Sequence, residues 1–368
     1  MNLKQYGWND FFGEKFSEYA DRGFSAGRVA VEHKSQYVLY TELGELTGEI
    51  SGKMHFNSGD KEDYPAVGDW VVIRPVINDK KAIIEHVLPR RNKFSRKAAG
   101  VKTDEQIVAS NIDYVFIMSS LNQDINLRRI ERYLTLAWEN EITPVIILSK
   151  ADVFNLTRNS VSAYKSLDEV VVEVENISSN TKIHVISAAE NTGIDELNQY
   201  FEGNKTAAVI GSSGVGKSTL INRLTDRTKM KVSDISLYKD KGRHTTSHRE
   251  LILLPAGGLI IDTPGMRELQ MWEGGEGVTE TFPEIEKLIN ECKFSDCKHD
   301  TEPGCAIKAA IRSGEIDEDR YSSYLKLQRE VSYFERRQNK KAALEEKKKW
   351  KKLSNDAKKH GNAKRVDY

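Results

Sequence analysis

The chain has 368 residues, 39% hydrophobic and 30% charged, with 55 Lys/Arg balanced by 55 Asp/Glu, an ordinary globular mixture long enough for two or three domains. Apolar runs such as Val145–Leu148 and Leu251–Leu254 fall far short of the roughly 20 residues of a membrane span, and the N-terminus shows no basic stretch followed by an apolar core and a cleavage site. Neither a spanning helix nor an export signal is expected, and the expected address is cytoplasmic.

Residues 1 to 24 read as a helix, with Trp8, Phe11, Phe12, Phe16 and Tyr19 at roughly helical spacing. From Gly27 to Arg90 the rhythm changes to short strands punctuated by turns: Arg28–Val31, Tyr37–Glu42, Leu46–Ile50, Gly68–Arg74 and Ala82–Leu88. Five short strands in this length fit a small OB-type barrel, a fold that often binds oligonucleotides; an SH3-like barrel or a plain structural module would read much the same. Arg90, Arg91, Lys93, Arg96 and Lys97 form a basic connector leaving the barrel, a feature that favours contact with phosphates.

From about Ser110 strands and helices alternate, which predicts a mostly parallel sheet covered by helices. Tyr114–Ser119, Pro144–Leu148, Ile183–Ile186 and Ala207–Ile210 are the strands; helices are predicted over Leu127–Trp138, Val161–Val172 and Gly193–Phe201. Two further strands, Arg249–Leu254 and Leu259–Ile261, meet at the turn Pro255-Ala256-Gly257-Gly258.

The strand ends carry chemistry. Ser149-Lys150-Ala151-Asp152 follows the strand Pro144–Leu148. The Asp152 carboxylate can accept both the N1–H and the N2–H of guanine, which selects GTP over ATP by roughly 10⁴ or more, since a mismatched buried polar group stays unpaired. Lys150 would lie along the base plane. The usual motif begins with Asn, and here it begins with Ser149. Ser187-Ala188 comes one helix and one strand later, where a backbone N–H can reach guanine O6. Gly211-Ser212-Ser213-Gly214-Val215-Gly216-Lys217-Ser218 fits G-x-x-x-x-G-K-[ST] after an apolar strand and before the helical pattern Thr219–Leu224. Such a loop turns N–H groups around the β-phosphate at a helix N-terminus; Lys217 neutralises β- and γ-oxygens, and the Ser218 hydroxyl ligates Mg²⁺.

Lys241-Gly-Arg-His-Thr-Thr246 lies between that loop and Asp262-Thr-Pro-Gly265. Thr246, or next Thr245, is expected to complete the Mg²⁺ shell. Asp262 can hold the ion through water, and the Gly265 N–H can reach the γ-phosphate. Met266 stands where many GTPases carry a water-orienting Gln, so His244 is the nearest candidate for that catalytic role; a solvent-exposed loop histidine is the plain alternative.

Cys292-x4-Cys297-x-His299-x5-Cys305 holds every cysteine of the chain within fourteen positions, which suits a reducing compartment and one structural Zn²⁺. Beyond it, Glu335–Tyr368 carries thirteen Lys/Arg against five Asp/Glu, net +8, leaving the rest at −8. A basic tail on an acidic body points to a polyanion; a solvated helix reads the same.

An ordinary GTPase presents phosphate loop, switch threonine, D-x-x-G and then the base motifs. Here the base motifs come first, a circular permutation that close termini make physically cheap. It also sends the segment after D-x-x-G directly into the C-terminal part, where it could act as a lever.

The barrel, the permuted order, Gly242-Arg-His-Thr-Thr246, the zinc motif, Ala66-Val-Gly-Asp-Trp-Val71 and Leu88-Pro-Arg-Arg-Asn92 together resemble the ribosome small subunit-dependent GTPase A family over nearly the whole chain. The resemblance implies GTP hydrolysis stimulated by the small ribosomal subunit, rRNA binding, a late role in that subunit's maturation and release on hydrolysis; a monomer without membrane contact is the accompanying expectation. The expected organisation is multidomain: an N-terminal helix and OB-type β-barrel (1–100), a circularly permuted α/β P-loop GTPase domain (101–280), a helical zinc-binding domain (281–335) and a basic tail (336–368). The alternative is a regulatory GTPase that binds proteins without RNA contact; a nuclease or helicase-like ATPase would need adenine, which Asp152 argues against.

Overall fold

Five strands close on themselves near the N-terminus. β1 (Ser25–Glu32), β2 (Tyr37–Thr41), β3 (Gly44–Ile50), β4 (Trp70–Val76) and β5 (Lys81–Val87) run in the order β1-β2-β3-β5-β4, and a β4–β1 ladder completes the ring. Every pairing in it is antiparallel except β3–β5, the OB-like arrangement. Alternation drives it: β2 buries Tyr37, Leu39 and Thr41 and turns the residues between them outward. Leu39 packs with Val29, Val71, Ile73 and Ile84. A Cβ on Gly48 would stand 2.7 Å from Leu39 Cδ1, so that strand position must stay bare.

The computed structural model describes residues 2–33, 36–59, 61–97, 105–121, 125–158, 166–178, 180–226, 249–263, 276–300, 302–333 and 336. Its two compact units are Met1–Gln270 and Met271–Tyr368.

The single helix expected over 1–24 is two elements. Gly7, at φ 84°, ends a 3-10 turn at Leu3–Tyr6, and the Asn9 side chain accepts from Phe12 N to start α1 (Asp10–Ala20). Phe12 is buried, and the rings of Trp8 and Phe12 lie 4.7 and 5.8 Å from the ring of fully buried Trp70. The N-terminal segment thus packs against β4 through aromatic contacts worth about 1 kcal/mol each beyond burial. A short helix α2 (Gly52–Asn57) follows β3.

The basic connector is a correction. Residues 93–97 are a strand, β6 (Lys93–Lys97), paired with β7 (Glu105–Ser110). Arg90 donates two hydrogen bonds to the fully buried Asp69 carboxylate, at 2.8 and 2.7 Å. Arg91 pairs with Asp113 at 2.9 Å and Lys93 with Glu62 at 3.4 Å. These charges look free along the chain only because their partners are 21 to 31 positions away.

They belong to a polar joint between barrel and sheet. Asp69 also accepts from Ser110 Oγ at 2.5 Å and Ala66 N at 2.8 Å. Arg28, 1% exposed, donates to the carbonyls of Tyr6, Gly68 and Asn111; burial brings its guanidinium down to about 10, against the opposing pull of Asp113. Gly68, at φ 95°, allows the close approach: a Cβ there would lie 2.2 Å from Ser110 O.

Next comes the α/β sheet of β8 (Tyr114–Ser120), β9 (Thr143–Ser149), β10 (Lys182–Val185), β11 (Thr206–Gly211), β12 (Glu250–Leu253) and β13 (Leu259–Asp262). Their spatial order is β10-β9-β8-β11-β13-β12, parallel except for β12. β12 pairs Glu250 with Val31 of β1, so barrel and sheet form one continuous eleven-stranded sheet. Helices α3 (Leu127–Glu139), α4 (Ala151–Arg158), α5 (Leu167–Ile177) and α6 (Lys217–Leu224) accompany it. The helix predicted over 161–172 is instead α5, because the reciprocal capping box of Ser166 and Glu169 sets its start.

In the second unit, α7 (Glu276–Thr281), α8 (Pro283–Asn290), α9 (Ala306–Ser313) and a helix over 318–333 bury Phe282, Ile285, Ile307, Tyr324 and Leu327. Arg320 lies over the Phe282 ring and donates to Glu284 Oε1 and Thr281 O. Among the described residues no helix is long and apolar enough to cross a membrane.

Candidate functional site

The strand order reverses direction between β8 and β11. From there β9 and β10 lie to one side, β13 and β12 to the other. Ligands of open α/β sheets bind outside the carboxyl ends at such a switch point, and the phosphate loop leaves β11 there.

The loop's glycines have the backbone it requires. Gly211, Gly214 and Gly216 have φ of 151°, 85° and 101°, and a Cβ on Gly211 would meet Met118 O at 2.4 Å. Val215 is buried and pins the loop to the core beneath it. Gly216 caps α6 without a side-chain hydrogen bond, so the helix starts with its N–H groups toward the loop. Lys217 Nζ donates to Gly211 O and Ser212 O, both at 2.7 Å, arching over the loop. Ser213, Ser218 and Thr219 are exposed. Asp262 ends β13 opposite Val209 of β11, one strand from the loop, and Thr263 Oγ1 bonds Val209 O beside it.

The base motifs stand at the ends of β9 and β10. Ser149 is 1% exposed, and its hydroxyl lies 2.6 Å from Val215 O and 3.4 Å from Ser119 O. Its hydrogen bonding therefore ties β9 to the phosphate loop's main chain. Lys150 has φ 62°, and the chain turns there into α4, with Ala151 N bonded to Ile186 O. Asp152, in that helix's first turn, accepts from Ser187 Oγ at 2.7 Å, which joins the two base motifs directly. Ala188 is 8% exposed. Arg223 of α6 donates to the carbonyls of Ala188 and Ala189, a contact that motif reading missed because an arginine at the end of a helical run looks like a solvated charge. Lys241–Thr246, with His244, Thr245 and Thr246, and Gly265 and Met266 lie outside the described residues, as does the tail beyond Arg336.

In the second unit Cys292, Cys297, His299 and Cys305 come together, with ligand atoms all within 4.8 Å of one another. His299 Nδ1 lies 3.5 Å from both Cys292 Sγ and Cys305 Sγ. A four-coordinate ion with arms of about 2.3 Å sets its ligands about 3.8 Å apart, so the donor set fits one. Desolvation and the neighbouring thiols push Cys297 up to about 11; burial raises Cys292 too, but the N–H groups of Ala306 and Ile307 bring it below its ordinary value. Three thiols this close cannot all ionise without a cation among them. The cluster could hold a metal ion.

A phosphate loop at the switch point, with the base motifs ahead of it in the chain, makes this a circularly permuted GTPase domain. The RsgA GTPase family model matches residues 87–272, and the chain belongs to that family. The small ribosomal subunit biogenesis GTPase RsgA 1 of Oceanobacillus iheyensis is 46% identical over 334 residues, 90% of this chain and 92% of that protein. The small ribosomal subunit biogenesis GTPase RsgA of Opitutus terrae is 42% identical over 366 residues, 96% of each. Among solved structures, YjeQ from Thermotoga maritima is similar with a TM-score of 0.59 and 29% identity, over 84% of this chain and 98% of that one. YloQ, described as a circularly permuted GTPase, is similar with a TM-score of 0.56 and 25% identity, over 84% and 95%.

Proposed function

We propose that this chain hydrolyses GTP on the small ribosomal subunit late in that subunit's maturation, contacts its rRNA, and leaves on hydrolysis. The observation that carries this reading is likeness over nine-tenths or more of the chain to proteins named for small-subunit biogenesis. In this reading Asp152 takes the N1–H and N2–H of guanine, Lys150 lies along the base, and the Ala188 N–H meets O6. The N–H groups from Ser212 to Thr219 surround the phosphates, and Lys217 exchanges its bonds to Gly211 O and Ser212 O for phosphate oxygens. Ser218, Thr246 and Asp262 would hold Mg²⁺, which when bound neutralises charge on the β- and γ-oxygens. His244 orients the attacking water, and the Gly265 N–H senses the γ-phosphate. Cys292, Cys297, His299 and Cys305 would hold Zn²⁺; four protein ligands leave it no open position, which makes its role structural.

The test is GTP hydrolysis by the full chain with and without purified small subunits, over a range of salt. Strong stimulation that falls steeply between about 50 and 200 mM salt is expected when several phosphates are contacted. Absence of stimulation would overturn the reading, and stimulation by proteins alone with no salt dependence would favour a regulatory GTPase without RNA contact.

A further inference from the structure

The helix that starts at the phosphate loop also grips the turn that faces the base. Arg223 sits six residues beyond Lys217 on α6. Its Nε donates to Ala188 O and its Nη2 to Ala189 O, each at 2.9 Å. A planar guanidinium suits two adjacent acceptors in a way that no single ammonium can. The turn has other anchors: Ser187 and Thr192 exchange backbone hydrogen bonds, and Glu190 N donates to Ser187 Oγ. These hold the two ends of 187–192 and leave the tilt of the peptides at 188 and 189 to Arg223. Among the described residues no acceptor takes the Ala188 N–H. The clamp therefore holds the turn by its carbonyls and leaves that N–H open.

We infer that Arg223 is a positioning residue for guanine recognition: by holding the carbonyls of Ala188 and Ala189 it aims the Ala188 N–H at O6 of the base. The inference rests on the guanine reading of Asp152, Ser187 and Ala188. It makes α6 a common support, with phosphate contacts at its first turn and control of the O6 contact at its last.

The probe is a pair of nucleotides, GDP and 2-aminopurine riboside 5′-diphosphate, which lacks only O6 and its consequence at N1. Both compete against a fluescent GDP analogue on the natural full chain, Arg223→Met and Arg223→Lys. The natural chain should prefer GDP. In Arg223→Met, GDP should weaken about five- to tenfold, the size of one hydrogen bond, while the 2-aminopurine nucleotide binds as before. Arg223→Lys should recover part of the loss. Equal weakening of both nucleotides would make Arg223 a general brace and overturn the inference, as would an unchanged ratio in both variants. If the natural chain itself fails to distinguish the two nucleotides, the guanine reading falls and takes the inference with it.

Discussion

The two compact units of this chain are held together by different means. The first has an eleven-stranded sheet with apolar clusters in the barrel and against the parallel strands, and a buried polar joint around Arg28 and Asp69 ties barrel to sheet. The second has short helices, a small core around Phe282, and four side chains that could hold a metal ion, their ligand atoms within 4.8 Å of one another. Burial spread over many residues loses stability in increments, whereas a unit whose cluster held a cation would lose it in a single step when that cation is removed. The arrangement also separates functions, since every described residue of the nucleotide site lies in the first unit.

Removing the cation tests this contrast hardest. Binding free energy at a structural zinc is roughly 10 kcal/mol or more, comparable with a whole domain's stability. Chelation, or Cys305→Ser, should therefore abolish hydrogen-exchange protection over 276–333 while GTP binding persists. Protection that survives chelation would show the helices self-sufficient. Next in size is the joint. Asp69→Asn leaves Arg90 without its buried carboxylate, a loss of about 3–5 kcal/mol, seen as a lower denaturant midpoint for the first unit with the second unchanged. Ser149→Ala removes the hydroxyl's bond to Val215 O and should cost about 1 kcal/mol, read as a several-fold weaker GTP affinity. Smallest is Lys81→Ala on the barrel surface: its pair with Glu49 spans 3.8 Å with both side chains about half exposed, so the midpoint should move by less than about 0.5 kcal/mol.

The parts legible in the sequence are those with short-range periodicity. The five barrel strands and the parallel strands fall within a few residues of their expected places, because apolar alternation and glycine turns are local signals. The Cys/His cluster was legible for the same reason, its four ligands lying within fourteen positions. What stayed hidden depends on distant partners. Arg90 and Arg91 read as free charges until Asp69 and Asp113 stand beside them. Ser149 reads only as a departure from the usual Asn, whereas its hydroxyl is buried against Val215 O, 66 positions away. The strand pair β6–β7 escaped because Lys93–Lys97 is charged rather than apolar.

The most direct test of the site is the base preference of Asp152→Asn. An amide in place of the carboxylate loses the pair of acceptors that matches guanine N1–H and N2–H and gains a donor for the second oxygen of xanthine. GTP hydrolysis should fall by about a thousandfold or more, and xanthosine triphosphate should become the better substrate. If the variant still preferred GTP, Asp152 would not be reading the base, and the permuted motifs would not share one site.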